Sequence, residues 1–193
     1  MKLTNLQTKK LGRSFKYYEK IDSTQSEIWR LIQSKNVKNG TLIMSNIQTK
    51  GQGTHGRIWH TDEKNNIAFS IYVETRCKPI KLEGITLEIA IIIKEIFNDF
   101  YKIKLQIKYP NDLLCNGKKI GGILTQSKIE EGITKFLVIG IGINTCKMNF
   151  SEDIKNIATS IKKETGINVD REKIMSEFCN RFERNLDEKL KMA

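Results

Sequence analysis

Between residues 103 and 143 the chain is a series of short apolar runs separated by tight-turn dipeptides, and this limits the folds open to it. Asp112 to Cys115 and Lys119 to Ser127 flank Asn116-Gly117, a pair that tolerates the positive φ angles of a two-residue hairpin turn. Glu131-Gly132 then turns the chain into Thr134 to Ile143, an almost wholly apolar strand. Ile103 to Tyr109 precedes them as a further strand, ending at Pro110. Strands joined by turns this short run antiparallel, because a parallel neighbour needs a crossover of a dozen or more residues. The predicted class is α+β, a mixed, largely antiparallel sheet with helices packed on one side.

The rest of the chain supplies the remaining elements. Phe15 to Tyr18 reads as a strand, and Asp22-Ser23-Thr24 opens a helix with Ile28, Leu31 and Ile32 on its buried face. Thr24 with Glu27 fits a capping box. Thr41 to Ile47 and Ile67 to Val73 are strands, the second alternating as a half-buried strand does. Leu82 to Phe100 carries isoleucines at helical spacing, and Asp170 caps a last helix with Ile174, Phe178, Phe182, Leu186 and Leu190 at i, i+4 steps.

At 193 residues the chain is long enough to bury a sizeable core, and it reads as one domain over 1–193. The net charge of +11 invites a nucleic-acid partner, but the lysines are scattered along the chain rather than gathered in one arm. Cys77, Cys115, Cys146 and Cys179 show no metal or disulfide spacing and read as free thiols of a reducing cytoplasm. No apolar run is long enough to span a bilayer, so no membrane role is expected.

Two strings stand out from this background. The first, residues 46–61 (NIQTKGQGTHGRIWHT), holds Gly51, Gly53 and Gly56, both histidines and an out-of-pattern Trp59 between two strands. A glycine-rich loop lets backbone N–H groups approach a ligand because no Cβ intervenes. The second is KYPNDLLCNGKKIGGIL, from Lys108 to Leu124. Together, GQGTHGRIW and KYPND…GKKIGGIL resemble the GRGxxGRxW and KWPND…GIL strings of the biotin protein ligase family. Ser23-Thr24-Gln25 stands for the family's Ser-Thr-Asn, and Gly140 to Asn144 (GIGIN) for its GxGIN. The resemblance runs from about Tyr18 to Ser160 and implies a class II aminoacyl-tRNA synthetase/biotin ligase-like sheet. It also implies a catalytic domain without the helix-turn-helix head or the C-terminal SH3-like barrel of some members.

The activity so implied has two steps. Biotin and ATP give biotinyl-AMP, with Mg²⁺ accompanying ATP. A lysine of a biotin carboxyl carrier domain, as in acetyl-CoA carboxylase, then takes the biotin. The family match makes Lys108 the leading catalytic candidate, placing an ammonium between carboxylate and α-phosphate, with Arg57 as a phosphate fork. It puts Ser23, Thr24, Gln25, Gln48, Gln52, Gly53, Thr54, Lys108, Gly121 and Gly122 around biotin. Gly51, Gly53, Arg57, Trp59, Asn111 and Asn144 fall around the adenylate, with Asp112 as a metal contact. Gln52 and Thr54 stand where the family usually has arginine. Partners so implied are biotin, ATP and the carrier, with no specific DNA; a homodimer is left open. A lipoate–protein ligase of the same fold is an alternative, although its Arg-Arg-x-Ser-Gly-Gly-Gly string is missing here. A non-catalytic basic nucleic-acid-binding module is another, but it would need clustered cations among aromatics.

Overall fold

The computed structural model describes residues 3–61 and 64–191. Strands and α-helices follow in the order β1 (Phe15–Ile21), α1 (Thr24–Gln33), β2 (Leu42–Gln48), β3 (Ile67–Cys77), α2 (Ile85–Tyr101) and β4 (Gln106–Lys108). Then come β5 (Asp112–Cys115), β6 (Lys118–Glu130), β7 (Ile133–Ile143), α3 (Ile161–Thr165) and α4 (Arg171–Lys191). The strands form one sheet, ordered β1-β2-β3-β7-β6-β5-β4. β1 and β2 are parallel, with α1 as their crossover; the other pairings are antiparallel. Asn116 (φ 51°) and Gly117 (φ 78°) make the β5–β6 turn, both at the positive φ that the dipeptide allows.

The two-residue period of the central strands sorts residues between two unlike faces. Ile67, Phe69, Ile71 and Val73 of β3, with Leu137, Ile139, Ile141 and Ile143 of β7, are buried in the cluster that α2 and α4 complete. The opposite face carries Ala68, Ser70 and Tyr72 of β3 and Val138, Gly140 and Gly142 of β7. Only one end of that face is covered by apolar packing, where α1 lays Ile28 and Leu31 on Ile43, Tyr72 and Val138. Beyond α1 these two strands contribute only small residues to this face.

Two sequence expectations shift. The helix-capping side chain is Ser23, whose Oγ accepts the Ser26 N–H at 3.3 Å. Thr24 sits inside the first turn, and Glu27 meets Arg30 and the Tyr18 hydroxyl instead of closing a capping box. The strand expected over Ile103 to Tyr109 keeps ladder pairing only at Gln106–Lys108, on the outer edge of the sheet. Ile103 and Leu105 are buried in the main core. Without a strand beyond β4 the extended backbone has fewer partners to hold it in register.

Aromatic packing holds α4 to the sheet. Phe178 of α4 is 1% exposed, stacked on Phe182 with centroids 5.3 Å apart and tilted against Phe69 at 5.6 Å. Phe178→Ala removes a ring from the centre of this contact and is expected to cost about 3–5 kcal/mol. Urea unfolding measures it, and a loss below about 1 kcal/mol would mean that α4 is not anchored through this ring.

Candidate active site

The small-residue part of the sheet is the base of a polar cavity. Gly122 of β6, Gly140 and Gly142 of β7 and Ser70 of β3 line it from below; Ser23, Thr24 and Gln25 of α1 close one side. The glycine-rich loop closes another with Gln48, Gln52, Gly53, Thr54 and Trp59. Asn111 and Lys119 complete the wall. The base exists because the lining positions of β6 and β7 alternate with buried isoleucines: the same two-residue period fills the far face and empties the near one.

The Trp59 indole lies on this base. A Cβ on Gly142 would fall inside the indole, and one on Gly122 would stand 3.6 Å from its Cζ3. With the ring in place, about 50 Å³ of the polar cavity is open. Trp59 also forms a wall of a second cavity of about 520 Å³. Ile58, Phe150, Ile154 and Ile157 give that cavity apolar sides, and Arg57, Lys119 and Lys147 set three cations against the one carboxylate of Asp153. A planar base carried on a polyanion suits such a lining. Gly53, Thr54, Trp59 and Lys119 line both cavities.

Lys119 is held where the two spaces meet. Its backbone N–H donates to the Ile157 carbonyl at 2.8 Å, and its carbonyl accepts the Thr159 N–H at 2.9 Å. Its ammonium lies 2.7 Å from Asp112 Oδ1 and 5.9 Å from the Trp59 ring centre. At 32% side-chain exposure for Lys119 and 22% for Asp112, the pair orients the lysine more than it stabilises the fold.

The loop is a small hairpin rather than an open cradle. Trp59 N–H donates to the Gly51 carbonyl at 2.9 Å and Gly53 N–H to the Arg57 carbonyl at 2.8 Å. The Gly53 amide is therefore used within the loop and not free for phosphate. Gly51 is required because a Cβ there would strike the Trp59 carbonyl. Gln48 ties the hairpin base to α1: its Oε1 accepts the Thr24 N–H at 2.8 Å, and its Nε2 donates to Thr61 Oγ1 at 3.1 Å. The Thr24 hydroxyl bonds Ser70 Oγ at 2.9 Å. Gln52 Nε2 reaches across to Ser26 Oγ at 2.9 Å. Arg57 curls back, its Nη2 on the Thr54 hydroxyl at 3.2 Å.

The residues expected from sequence divide accordingly. Ser23, Thr24, Gln25, Gln48, Gln52, Gly53, Thr54 and Gly122 meet in the polar cavity, and Arg57, Trp59 and Asn144 in the second. Asn111 lines the polar cavity rather than the second one, its Nδ2 donating to the Ile123 carbonyl at 3.3 Å. Gly121 points away: a Cβ on it would meet the Leu113 side chain at 3.2 Å on the core face. Lys108 is exposed and lines neither cavity, because it ends β4, which β5 separates from β6. The lysine brought to the cavities is Lys119, which the sequence reading passed over although it opens the GIL string. Asp112 is paired with Lys119, and the described residues hold no cluster of three metal-ligating side chains. Gly140, Gly142 and Ser70 also went unassigned; the alternation of glycine with isoleucine in β7 was the available signal.

The description that matches this chain, over residues 17–144, is the Biotin/lipoate A/B protein ligase family. The chain is 33% identical over 181 residues to the bifunctional ligase/repressor BirA of Bacillus subtilis, covering 93% of this chain and 55% of that protein. It is 30% identical over 151 residues to BirA of Escherichia coli, covering 78% of this chain and 46% of that one. A structure of biotin protein ligase from Aquifex aeolicus in complex with biotin and ATP has a TM-score of 0.77 at 28% identity. That match covers 94% of this chain and 73% of the other. The chain thus spans about half the length of the curated relatives it matches.

The contact between Trp59 and the glycine base can be tested directly. Gly142→Ala forces the indole off the sheet, so tryptophan emission should shift to the red and quench more readily with acrylamide. Any accompanying loss of stability should stay within about 1–3 kcal/mol. Emission identical to wild type would mean that the ring does not rest on Gly142.

Proposed function

The chain belongs to the Biotin/lipoate A/B protein ligase family, and from that premise we propose that it joins biotin to ATP as biotinyl-AMP and passes the biotin to a protein lysine. The acceptor would be the lysine of a biotin carboxyl carrier domain, as in acetyl-CoA carboxylase or a related carboxylase. The observation that carries this reading is the placing of Lys119 where a polar cavity meets a cationic, apolar-walled one. Its ammonium stands where the carboxylate of one substrate must approach the α-phosphate of the other.

In the first step a biotin carboxylate oxygen attacks the α-phosphorus of ATP. A C–O–P anhydride forms and pyrophosphate leaves with the electrons of the broken P–O bond. Both reactants are anions, so the approach is opposed by charge. A fixed ammonium at the meeting point lowers that repulsion and stabilises the pentacoordinate phosphate. Asp112 holds the ammonium in place before substrate arrives, so little reorganisation is needed at the moment of reaction. In the second step the acceptor amine attacks the anhydride carbonyl, AMP leaves, and the amine proton is released. When bound with ATP, Mg²⁺ would neutralise phosphate charge, with Asp112 the side chain placed to assist in holding it.

Seating a bicyclic ring on the glycine base requires the Trp59 indole to swing off Gly142. The two cavities share this ring, so its displacement by the first ligand would reshape the wall offered to the second. Arg57, already bent over Thr54, lines the second cavity and would serve the phosphate from the loop. Gln52, at the position where the family resemblance leads one to expect arginine, spans from the loop to Ser26 of α1.

ATP–pyrophosphate exchange tests the reading: it should depend on biotin and not on lipoate. Lys119→Ala should cut the exchange on the order of 100-fold or more, since the charge it supplies acts in the transition state. Lys108→Ala, an exposed change, should leave it within about 3-fold of wild type. Equal losses from the two substitutions, or exchange supported by lipoate alone, would overturn the assignment.

A further inference from the structure

Asp112 holds the ammonium of Lys119, but the backbone of Lys119 is held from another part of the chain. The ladder between β6 and β7 begins only at Gly121, so at this corner residues 157–159 take the place of a strand. They form a parallel bridge between Lys119 and Ala158, closed by the two backbone bonds to Ile157 and Thr159. Asn144 Nδ2 secures the same segment by donating to the Thr159 carbonyl at 3.2 Å. On its other side Lys119 pairs with Leu114 across the Asn116-Gly117 turn.

One carboxylate ties these two neighbours of Lys119 together. Glu164 of α3 accepts the Thr159 hydroxyl on Oε1 at 2.7 Å and the Asn116 amide on Oε2 at 3.0 Å. Hydrogen bonds to an ionised acceptor are the stronger kind. The two bonds, Thr159's first, with Lys118 and Lys163 nearby, hold the Glu164 carboxyl below the ordinary carboxylate range. The clamp is itself anchored: Ile161 of α3 is buried in the main core, and the Ser160 hydroxyl caps the helix by accepting the Lys163 N–H at 3.2 Å. Glu164 lines neither cavity. Its two bonds therefore act on the geometry of the β6 start and not on a ligand. A cation that must meet a reacting phosphate loses much of its effect when displaced by about 1 Å.

We propose that Glu164 is a positioning residue for the adenylation step. By clamping residues 157–159 to the β5–β6 turn it fixes the start of β6, and with it the place from which Lys119 reaches the cavities. Asp112 aims the side chain; Glu164 sets the backbone that carries it. The inference rests on the reading of Lys119 as the cation that serves the phosphate. Because Glu164 touches no substrate, its loss slows the chemistry and leaves the hold on biotin nearly intact.

Biotin-dependent ATP–pyrophosphate exchange tests this in wild type, Glu164→Ala, Lys119→Ala and the double variant, each with its melting temperature measured. Glu164→Ala is expected to lower kcat about 10-fold, with KM for biotin within about 3-fold of wild type. In the Lys119→Ala background the same substitution should cost less than about 2-fold, because no ammonium remains to be misplaced. Thr159→Val removes only the hydroxyl that Glu164 holds and should lower kcat about 3-fold, again only while Lys119 is present. That variant carries the test if Glu164→Ala does not fold. An unchanged kcat in Glu164→Ala, or a loss of equal size with and without Lys119, overturns the inference and leaves the reading of Lys119 standing. Full exchange in Lys119→Ala overturns that reading and the inference with it.

Discussion

The site depends on an absence of side chains at the middle of the sheet. Gly140 and Gly142 of β7 and Gly122 of β6 share a face with Ser70 and Ala68, so three adjacent strands present almost nothing but backbone on that side. A single Cβ at Gly142 would collide with the Trp59 indole, and one at Gly140 would crowd Gln25. The other face of the same strands carries the main apolar core. Burial there, at roughly 25 cal/mol for each Å² of apolar surface, stabilises strands that would be weak from their glycines alone. One face thus stabilises the sheet while the other is left open for a ligand.

Everything that closes the cavity is tied to that base by hydrogen bonds between distant parts of the chain. Gln48 links α1 to the end of the glycine-rich hairpin, and Thr24 links α1 to β3. These bonds use up polar groups that the sequence reading had offered directly to a ligand. Gln48 remains in the wall, but with its amide engaged on both sides. The loop glycines serve chain geometry as much as ligand approach: Gly51 clears the Trp59 carbonyl, and Gly53 closes the hairpin through its N–H.

Charge is arranged with similar economy. The chain carries a net +11, yet only a few of its cations reach the two cavities, and Lys119 alone lines both. Its partner Asp112 comes from the neighbouring strand and is offset enough in register for the ammonium to stay near the cavities. Scattered lysines on the outer surface offer no comparable geometry.

The apolar run of residues 134–143, the Asn116-Gly117 turn and the helical spacing of residues 82–100 were enough to define an antiparallel α+β sheet and most of its elements. These are local signals, set by side-chain period and by the φ angles a residue tolerates. The glycine-rich loop was legible as a place where backbone can approach a ligand, and the residues at the start of α1 were grouped with it by the family resemblance; the structure brings both to one cavity. Which lysine faces the cavities was not legible. Lys108 and Lys119 both stand at strand ends within one unusual string, and each carries the same charge. Only the strand order separates them: β4 is the outer edge, and β6 is paired to the central β7. The same order turns Gly122 toward the cavity and Gly121 toward Leu113. Sequence determined what each strand could pair and bury; the tertiary structure decided which face and which neighbour each residue received, because those depend on contacts between segments tens of residues apart.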